Sequence, residues 1–270
     1  MKTIGLIGCG VVGTAVKEGM SHAFDILCYD INGESNCDSI KEVVQKVDGP
    51  IFICVPSPML PSGSCDTSIV EGVVELINEE ANLQDLTITI AIKSTVVPGT
   101  TRVLSEKYIH CNICFNPEFL TEANAVEDFK NQDRIIIGGS YDILDSVSQC
   151  SQCYQKAYPK IPIWETSSTV AEMVKYTTNV HLAVKVGLAN ELNQIGQKLD
   201  IPYSKVVQLA TIDKRLGDSH WSVPGPDGKR GFGGTCFPKD LNALINRAIE
   251  LGIDPSIMTG AWKKNSEVRR

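Results

Sequence analysis

One of the ten cysteines stands in a sequence context that suits nucleophilic chemistry. Cys236 lies in the segment GFGGTCFPKD, residues 231–240, after three glycines and two positions before Pro238. Glycines let the backbone approach another molecule closely, and proline is typical of the first turn of a helix. Because a helix N-terminus favours the thiolate, the nucleophilic form of cysteine, we predict a reactive thiol here. Asp240, one helical turn further on, could orient a partner or accept a proton.

A lysine and an asparagine in the segment KYTTN could stabilise negative charge on an oxygen atom. Lys175 and Asn179 are four residues apart, so they share one face of a helix. Most helical lysines are simply solvated, which leaves that interpretation open. If the pair instead faces a cleft, its N–H groups are oxyanion donors.

The segment NPEFLTEA, residues 116–123, holds two glutamates whose role depends on local structure. Asn116 can cap a helix that starts at Pro117, and Glu118 and Glu122 would then share one face. From the residues alone, we favour the interpretation in which both carboxylates complement the helix dipole. Placed after a central strand, they would instead suit acid–base catalysis.

A glycine-rich turn near the start of the chain predicts a dinucleotide site. GCGVVG contains Gly8, Gly10 and Gly13, follows a short apolar run and opens a helical stretch. Such glycines allow a tight turn and let a pyrophosphate approach the N–H groups at the helix start. Asp30 ends the next predicted strand, 22 residues after Gly8, where a carboxylate would bind a ribose 2′-hydroxyl. Because that carboxylate would also repel the 2′-phosphate of NADP, we predict NAD.

A second turn offers hydroxyl groups after a predicted strand. Ser94 and Thr95 open the segment STVVPGTT, residues 94–101. Ligands of open α/β sheets bind at the carboxyl ends of the strands, so these hydroxyls could contact a ligand. They fit an ordinary strand-to-helix turn equally well.

The elements that would carry these residues alternate between strands and helices in the first part of the chain. Helices are expected over 12–22 and 68–81 and from Thr100, and the apolar runs predict strands over 3–7, 24–30, 51–55, 86–94, 113–115 and 134–139. Because most of these strands are apolar throughout, they predict a buried parallel sheet. The fold class is therefore α/β, with an N-terminal Rossmann-type doubly wound sheet over residues 1–165.

The pattern changes to helices alone over residues 166–270. A proline-free segment from Thr169 to Leu199 opens with Thr169 and Glu172 at the spacing of a capping box and has apolar residues at helical spacing. A helix of this length, about 45 Å, usually crosses a domain or subunit boundary. Further helices are expected over 203–211 and 239–251, on either side of a polar loop rich in proline and glycine. We therefore predict an all-helical second domain with one long central helix.

Composition narrows the class of protein and its compartment. With a net charge of −7, the chain is not the basic protein that nucleic-acid binding usually needs. No apolar run reaches the roughly 18 residues of a membrane span, and the glycines near the start argue against a signal peptide. We expect a cytoplasmic protein with reduced cysteines that binds neither nucleic acid nor a membrane.

Two CxxC pairs raise the question of a zinc site. Cys111 and Cys114 lie on a predicted strand and therefore point to opposite faces, whereas Cys150 and Cys153 lie on a helical stretch and share a face. Since the helical pair lacks a convincing second pair, we predict buried thiols and no metal.

Taken together, these motifs resemble the UDP-glucose/GDP-mannose dehydrogenase family. Their order is GxGxxG, VPSP, STVVPGTT, NPEFLTEA, KYTTN, KRLG and GFGGTCFPKD, and it extends over essentially the whole chain. The resemblance implies NAD-dependent four-electron oxidation of a nucleotide sugar, UDP-glucose to UDP-glucuronate, as in polysaccharide biosynthesis. It also implies that the reaction passes through a cysteine thiohemiacetal and thioester.

The resemblance assigns roles to individual residues. Cys236 matches the nucleophile, and Lys175 and Asn179 match the pair that stabilises the oxyanion. Asp240 and Thr95 match groups that hold a water molecule. The catalytic set also includes Glu122 as the base in thioester hydrolysis and Glu118 as a further acid. Positions matching cofactor contacts are Gly8, Gly10, Val11, Val12, Gly13, Asp30, Val55, Pro56, Ser57, Ser94, Thr95 and Glu122. Positions matching substrate contacts are Glu118, Phe119, Leu120, Lys175, Asn179, Arg215, Phe232, Gly233, Gly234 and Cys236.

The chain departs from the family pattern in length. Members usually carry a third, C-terminal domain over the nucleotide half of the substrate, whereas this chain ends after the helical part, so we expect that half of the site to be incomplete. The loop over 218–230, with His220, Trp221 and Lys229, is expected to cover part of the missing surface. Ser57 stands where the family often has threonine.

The resemblance also bears on the oligomeric state, and it leaves alternative functions open. The resemblance implies a homodimer through the long helix, with Arg215 reaching the sugar site of the neighbouring subunit. The same chemistry on GDP-mannose or a UDP-N-acetylhexosamine stays open. So does an NAD-binding remnant without activity. A two-electron hydroxyacid dehydrogenase, which would not need Cys236, is a rival of another class.

Overall fold

The computed structural model describes residues 1–33, 35–140 and 144–269. These residues divide into two compact units. The sheet unit comprises residues 1–58 and 66–175, and the helical unit comprises residues 59–65 and the chain from 176 onward.

The described part of the sheet unit contains one seven-stranded sheet. The strands are, in chain order, Thr3–Ile7 (β1), Asp25–Tyr29 (β2), Ile51–Ile53 (β3), Ile88–Ile92 (β4), Cys111–Phe115 (β5), Ile135–Gly139 (β6) and Ile163–Ser167 (β7). They lie side by side in the order β2-β1-β3-β4-β5-β6-β7. The predicted α/β class is confirmed.

Two features of the sheet differ from the expectation. First, β6 runs antiparallel to β5, with Cys114 opposite Gly139, whereas the other neighbouring strands are parallel. A strand that is apolar on both faces carries no directional signal, so the sequence could not reveal this reversal. Second, β7 was not expected, because this edge strand exposes Trp164 and Glu165 and lacks an apolar run.

Helices cover both faces of the sheet. They are Val11–Met20 (α1), Ile40–Lys46 (α2), Ser68–Leu83 (α3), Thr100–Lys107 (α4), Ala125–Lys130 (α5) and Leu144–Ala157 (α6). Side chains of α2, α3 and α4 pack with Ile90 and Ile92 on one face, and those of α1, α5 and α6 pack with Phe52 and Ala91 on the other. Alternate residues of β4 therefore enter separate cores, as the two-residue repeat of a strand requires.

The two CxxC pairs are divided between these cores. Cys111 packs into the first, and Cys114 packs into the second together with Cys150 and Cys153. Cys111 and Cys114 therefore point to opposite faces of the sheet, as predicted. Within the described ranges, no group of three or more His, Cys, Asp or Glu side chains could hold a metal ion.

The predicted long helix is present as Ser168–Lys198 (α7). Its first turns belong to the sheet unit, where Ala171 is fully buried beside Gly138. The domain boundary predicted after residue 165 falls inside β7, while the packing units separate after Lys175.

The start of α7 corrects one expectation. Glu172 does not form a capping box with Thr169, because its carboxylate accepts hydrogen bonds from Gly99 N at 2.6 Å and Thr101 N at 2.8 Å. It thereby caps the N-terminus of α4, where backbone N–H groups have no partner inside the helix.

The helical unit continues with Tyr203–Ala210 (α8), Cys236–Glu250 (α9) and Ser256–Val268 (α10). Its small core joins Tyr176, Val180 and Ala183 of α7 to Phe232 and to Leu241 of α9. The sequence predicted α8 and α9 but not α10. No helix in the described ranges is long and apolar enough to cross a membrane.

Candidate active site

The turn after β1 requires its glycines. Gly8 has φ +94°, and a Cβ there would lie 2.7 Å from Cys54 O. A Cβ on Gly13 would lie 1.9 Å from Gly8 O, so the start of α1 packs directly against the turn. A side chain at Gly8 would push the turn away from the end of β3, and one at Gly13 would push α1 away from the turn.

The start of α1 is suited to bind an anion. Gly10 is the N-cap residue, and no side chain in the described part of the protein caps this helix. Uncapped N–H groups and the helix dipole attract a phosphate. A cleft of about 440 Å³ beside them is lined by Val11, Thr14 and residues 122–127, which include the exposed Glu122.

Asp30 lies directly after β2, where the predicted ribose contact belongs. Its Oδ2 accepts from Cys9 N at 2.6 Å and its Oδ1 from Asn32 N at 2.7 Å. These backbone hydrogen bonds, that of Cys9 first, hold the pKa of the Asp30 carboxyl below its usual range. An ionised acceptor here, together with the turn and the open helix start, fits NAD.

Further predicted cofactor contacts lie at the carboxyl ends of β3 and β4. Ser94 donates its hydroxyl to Val55 O at 2.7 Å, which ties the two strand ends together. Ser57 and Ser94 are buried, whereas Thr95 is half-buried and Pro56 is exposed. Ser94 therefore acts in the turn itself, which supports the structural interpretation of STVVPGTT for this residue.

Glu118 and Lys175 form a buried ion pair in the sheet unit. Lys175 Nζ donates to Glu118 Oε1 and to Glu118 O, both at 2.6 Å. Glu118 Oε2 accepts from Leu120 N at 2.8 Å. Burial by itself raises the pKa of Glu118, but Lys175, the Leu120 N–H and Lys93 together bring it below its usual value. The carboxylate form of Glu118 is therefore favoured, and the buried Lys175 is not the solvated helical lysine of the alternative interpretation.

The expected helix at NPEFLTEA is absent from the described structure. Asn116 continues the pairing of β5 by donating its N–H to Ile92 O at 2.8 Å, and its side-chain amide donates to Ile136 O at 2.8 Å. Its Oδ1, the atom that would cap a helix, instead accepts from Lys93 Nζ and the Tyr154 hydroxyl, and the chain turns helical only at Glu122–Asn124 and α5. Glu118 is buried and Glu122 exposed, so they do not share a helical face.

Phe119 packs between two cations of the sheet unit. The Arg134 guanidinium carbon lies 4.5 Å from the ring centroid, and Lys175 Nζ lies 5.8 Å from it. Arg134 was not among the predicted residues, although it directly precedes β6.

Within the helical unit Asn179 is hydrogen-bonded to Asp240, which lies one turn after Cys236 on α9. Asn179 Nδ2 donates to Asp240 Oδ2 at 2.6 Å, and Lys239 Nζ donates to Asp240 Oδ1. Asp240 is 1% exposed. Cys236 is half-buried and is the first residue of α9, one turn before Asp240, as predicted. The sequence interpretation missed Lys239, although it adjoins Asp240.

The glycine loop before Cys236 is held by three side chains that the sequence interpretation also missed. Asn265 Oδ1 accepts from Phe232 N at 2.7 Å, and Asn190 Oδ1 accepts from Gly231 N at 3.2 Å. Arg269 covers Gly233, where a Cβ would lie 1.9 Å from its guanidinium. The sequence offered no signal for the two asparagine contacts, because they join residues 41 and 33 positions apart.

Arg215 lies apart from these contacts. It belongs to a short 3-10 turn, Lys214–Leu216, pairs with Asp213, and has an 89% exposed side chain. Its predicted role in a neighbouring subunit remains a prediction.

Residues 35–158 match the NAD-binding domain of the UDP-glucose/GDP-mannose dehydrogenase family, and residues 169–267 match its central domain. The chain belongs to this family. Its relatives include the UDP-glucose 6-dehydrogenase of Rickettsia bellii, 35% identical over 232 residues that cover 80% of this chain and 49% of the relative. The GDP-mannose 6-dehydrogenase of Pseudomonas syringae pv. tomato is 31% identical over 230 residues, with 80% of this chain and 50% of the relative covered.

Solved structures agree with this assignment. A UDP-glucose dehydrogenase from the archaeon Pyrobaculum islandicum aligns with a TM-score of 0.89 and 27% identity, covering 99% of this chain and 68% of that one. This family member spans about half the length of the curated relatives. The predicted family and NAD as the cofactor are confirmed.

Proposed function

We propose that this family member oxidises the primary alcohol of a nucleotide sugar to a carboxylate, with Cys236 as a covalent nucleophile. The observation that carries the proposal is the arrangement at α9. Cys236 begins the helix, and Asp240 one turn later is buried and bonded to both Asn179 and Lys239. A thiol at a helix start beside such a polar cluster is suited to nucleophilic catalysis.

The chemistry explains the need for a thiol. Removing a hydride and the hydroxyl proton from the alcohol leaves an aldehyde, which cannot readily lose a second hydride. Attack by the Cys236 thiolate on the aldehyde carbon forms the oxyanion of a thiohemiacetal, and loss of a hydride from that carbon gives a thioester. Water then hydrolyses the thioester to the acid and frees the thiol. NAD, when bound, accepts one hydride in each oxidation, so two NAD are used per sugar.

Oxygen carries negative charge in each of these steps. Lys175 and Asn179 are assigned to donate to that oxygen, an effect worth about 3 kcal/mol for a well-placed donor. The contacts of Lys175 with Glu118 and of Asn179 with Asp240 support this role, because they fix the direction of each donor before the substrate binds.

Hydrolysis of the thioester requires a positioned water molecule. We assign Asp240 and Thr95 to hold it, and Glu122 to accept its proton. Glu122 is exposed and lines the cleft beside α1, so it can exchange protons with solvent. Glu118, bonded to Lys175, is assigned as the further acid that supports this donor.

UDP-glucose is the proposed substrate, with GDP-mannose and a UDP-N-acetylhexosamine as alternatives within the same chemistry. We further propose contacts to the sugar nucleotide from Phe119, Leu120, Phe232, Gly233 and Gly234. A homodimer through α7 is supported by its exposed apolar residues Leu188, Leu192 and Ile195, followed by Leu199, which share one helical face. In this dimer Arg215 would act on the neighbouring subunit's substrate.

The proposal is tested by turnover with each candidate sugar nucleotide. We expect two NADH per acid formed, with NADH followed by absorbance and the acid by mass spectrometry. Cys236→Ser should lose acid formation by at least about 10⁴-fold, as loss of a covalent nucleophile does. Cys65→Ser, which alters another half-buried thiol of the helical unit, is the matched control and should keep activity.

Other outcomes would contradict the proposal in distinct ways. One NADH per product would support a two-electron dehydrogenase, and undiminished acid formation by Cys236→Ser would refute covalent catalysis. NAD binding without turnover of any sugar nucleotide would support an inactive remnant.

A further inference from the structure

Lys93 is a buried lysine to which the proposed mechanism gives no role. It directly follows the fully apolar end of β4 and is 3% exposed. Its Nζ donates to Asn116 Oδ1 at 3.0 Å, to Asn116 O at 3.3 Å and to the Tyr154 hydroxyl at 3.4 Å. The Tyr154 hydroxyl in turn donates to Asn116 Oδ1 at 2.6 Å, which closes a small network.

Packing gives no reason for a charge at this position. Burial lowers the pKa of Lys93, because removing an ammonium group from water costs free energy. A methionine has similar length and would fill the same space against the Phe129 ring, 5.6 Å from Nζ, without that cost. The presence of a lysine at position 93 is therefore better explained by the hydrogen bonds that it makes.

What Lys93 holds is Asn116, the first residue of the segment that carries Glu118. The N–H and side-chain amide of Asn116 bond to Ile92 O of β4 and Ile136 O of β6. Lys93 engages the two oxygens that these bonds leave, the carbonyl and Oδ1. All four polar groups of Asn116 thus have partners, which fixes the direction in which the chain leaves β5.

The direction of the chain at Asn116 also affects Lys175, because Lys175 bonds to Glu118, two residues further along the chain. Both the carbonyl oxygen and the carboxylate of Glu118 accept from Lys175 Nζ at 2.6 Å. Because the carbonyl belongs to the backbone, any rotation of the turn at Asn116 moves it. The orientation of Lys175 therefore depends on the anchoring of Asn116.

We propose that Lys93 is a positioning residue for Lys175, acting through Asn116 and Glu118. This inference rests on the proposed role of Lys175 as an oxyanion donor. It extends that role to a buried lysine whose partners are Asn116 and Tyr154.

The main test is Lys93→Met in the full chain. We expect kcat to fall about 10-fold to 100-fold, because small misplacements of a catalytic group have effects of this size. The KM values for NAD and for the sugar nucleotide should stay within about twofold, since Lys93 is only 3% exposed. The melting temperature should change by only a few degrees, because Lys93→Met removes the cost of burying an ammonium group but leaves the Asn116 carbonyl oxygen without this donor. Lys41→Met, which removes a surface lysine paired with Glu80, is the matched control and should leave kcat unchanged.

A tyrosine pair tests the network without altering a charge. Tyr154→Phe removes the hydroxyl that joins Lys93 to Asn116, and it should lower kcat several-fold. Tyr158→Phe removes a hydroxyl that bonds Gly19 O, although its ring also packs against Phe129. Tyr158→Phe should keep kcat unchanged. If Lys93→Met does not fold, the comparison of Tyr154→Phe with Tyr158→Phe tests the inference in its place.

Hydrogen exchange gives a readout that does not need turnover. Peptides covering residues 116–121 should exchange faster in Lys93→Met, and those covering β1 should not change. If the wild type shows no turnover, the proposed function fails, and this exchange still decides the positioning of the turn.

Specific results would overturn the inference. If the wild type is active, an unchanged kcat in both Lys93→Met and Tyr154→Phe would overturn the inference. Unchanged exchange over 116–121 would do so whether or not the chain turns over. A fall in melting temperature by more than a few degrees, with a parallel loss of NAD affinity, would instead assign Lys93 to the stability of the sheet.

Discussion

Three hydrogen bonds meet at Glu118. Lys175 Nζ donates to its carboxylate and to its carbonyl oxygen, and Leu120 N donates to the other carboxylate oxygen. The bonds to the carboxylate are strongest when it is ionised, and the pKa of Glu118 is lowered accordingly. Protonation of Glu118 would therefore weaken one of the two bonds that hold Lys175 and leave the bond to the carbonyl oxygen.

This lowered pKa predicts how stability depends on pH. The folded pKa of Glu118 lies below the ordinary value of 4.5, so its contribution is complete above that value and is lost as pH falls through the folded pKa. We expect the free energy of unfolding of Glu118→Gln to decline less than that of wild type as pH falls below 4.5. Urea unfolding at several pH values measures this difference.

A suitable control removes one negative charge elsewhere in the sheet unit. Glu127→Gln alters an exposed glutamate of α5 and should keep the wild-type dependence on acid. Parallel curves for wild type and Glu118→Gln would contradict the prediction.

Motifs located reactive groups in the sequence better than they located the partners of those groups. GFGGTCFPKD and KYTTN placed Cys236 at a helix start and Lys175 on a helix, and the structure agrees. Asn265 and Lys93 were missed, because their contacts join residues 33 and 23 positions apart. Such contacts depend on how helices and strands are arranged, and local spacing does not encode that arrangement.

At the scale of elements, the sequence predicted a strand or a helix correctly where its apolar residues followed a single pattern. The apolar runs of β1 and β4 and the long pattern of α7 predicted those elements correctly. The helix expected at NPEFLTEA is absent because Asn116, a good helix cap by type, uses its Oδ1 to accept from Lys93 and Tyr154. The predicted capping box of Thr169 and Glu172 was wrong for a similar reason, since the Glu172 carboxylate caps α4 and not its own helix.

The junction of β1 and α1 yields a prediction about an element boundary. Gly13→Ala would place a Cβ 1.9 Å from Gly8 O, so α1 must shift away from the turn. We expect a loss of about 3 kcal/mol in the free energy of unfolding, a typical cost of overpacking. NAD affinity should fall at least about tenfold, because the shift moves the helix start. Urea unfolding and calorimetric titration with NAD measure the two effects.

Gly72→Ala is the matched control for this substitution. Gly72 lies inside α3, and a Cβ there would meet no atom within 4 Å. Alanine is the better helix former, so this variant should gain up to about 1 kcal/mol and bind NAD normally. Normal NAD binding by Gly13→Ala would show that the turn tolerates the shift.

At the scale of the whole molecule, α7 carries an exposed apolar face. Leu188, Leu192 and Ile195 recur at helical spacing, and Ile195 is 54% exposed. The proposed symmetric dimer would bury this face on both subunits. In that dimer the exposed Arg215 would act on the neighbouring subunit.

Mixing two inactive variants tests whether Arg215 acts across that dimer. Arg215→Ala and Cys236→Ser homodimers should each be impaired, but a mixed dimer has one site with both the thiol and the partner's arginine intact. After co-refolding at equal concentrations, activity should recover to about a quarter of wild type, since half of the dimers are mixed and each has one complete site. Asp240→Asn mixed with Cys236→Ser is the control and should show no recovery, because both residues lie on α9 of one chain. No recovery in the Arg215→Ala mixture, with mixed dimers detected by mass spectrometry, would place the function of Arg215 within its own subunit.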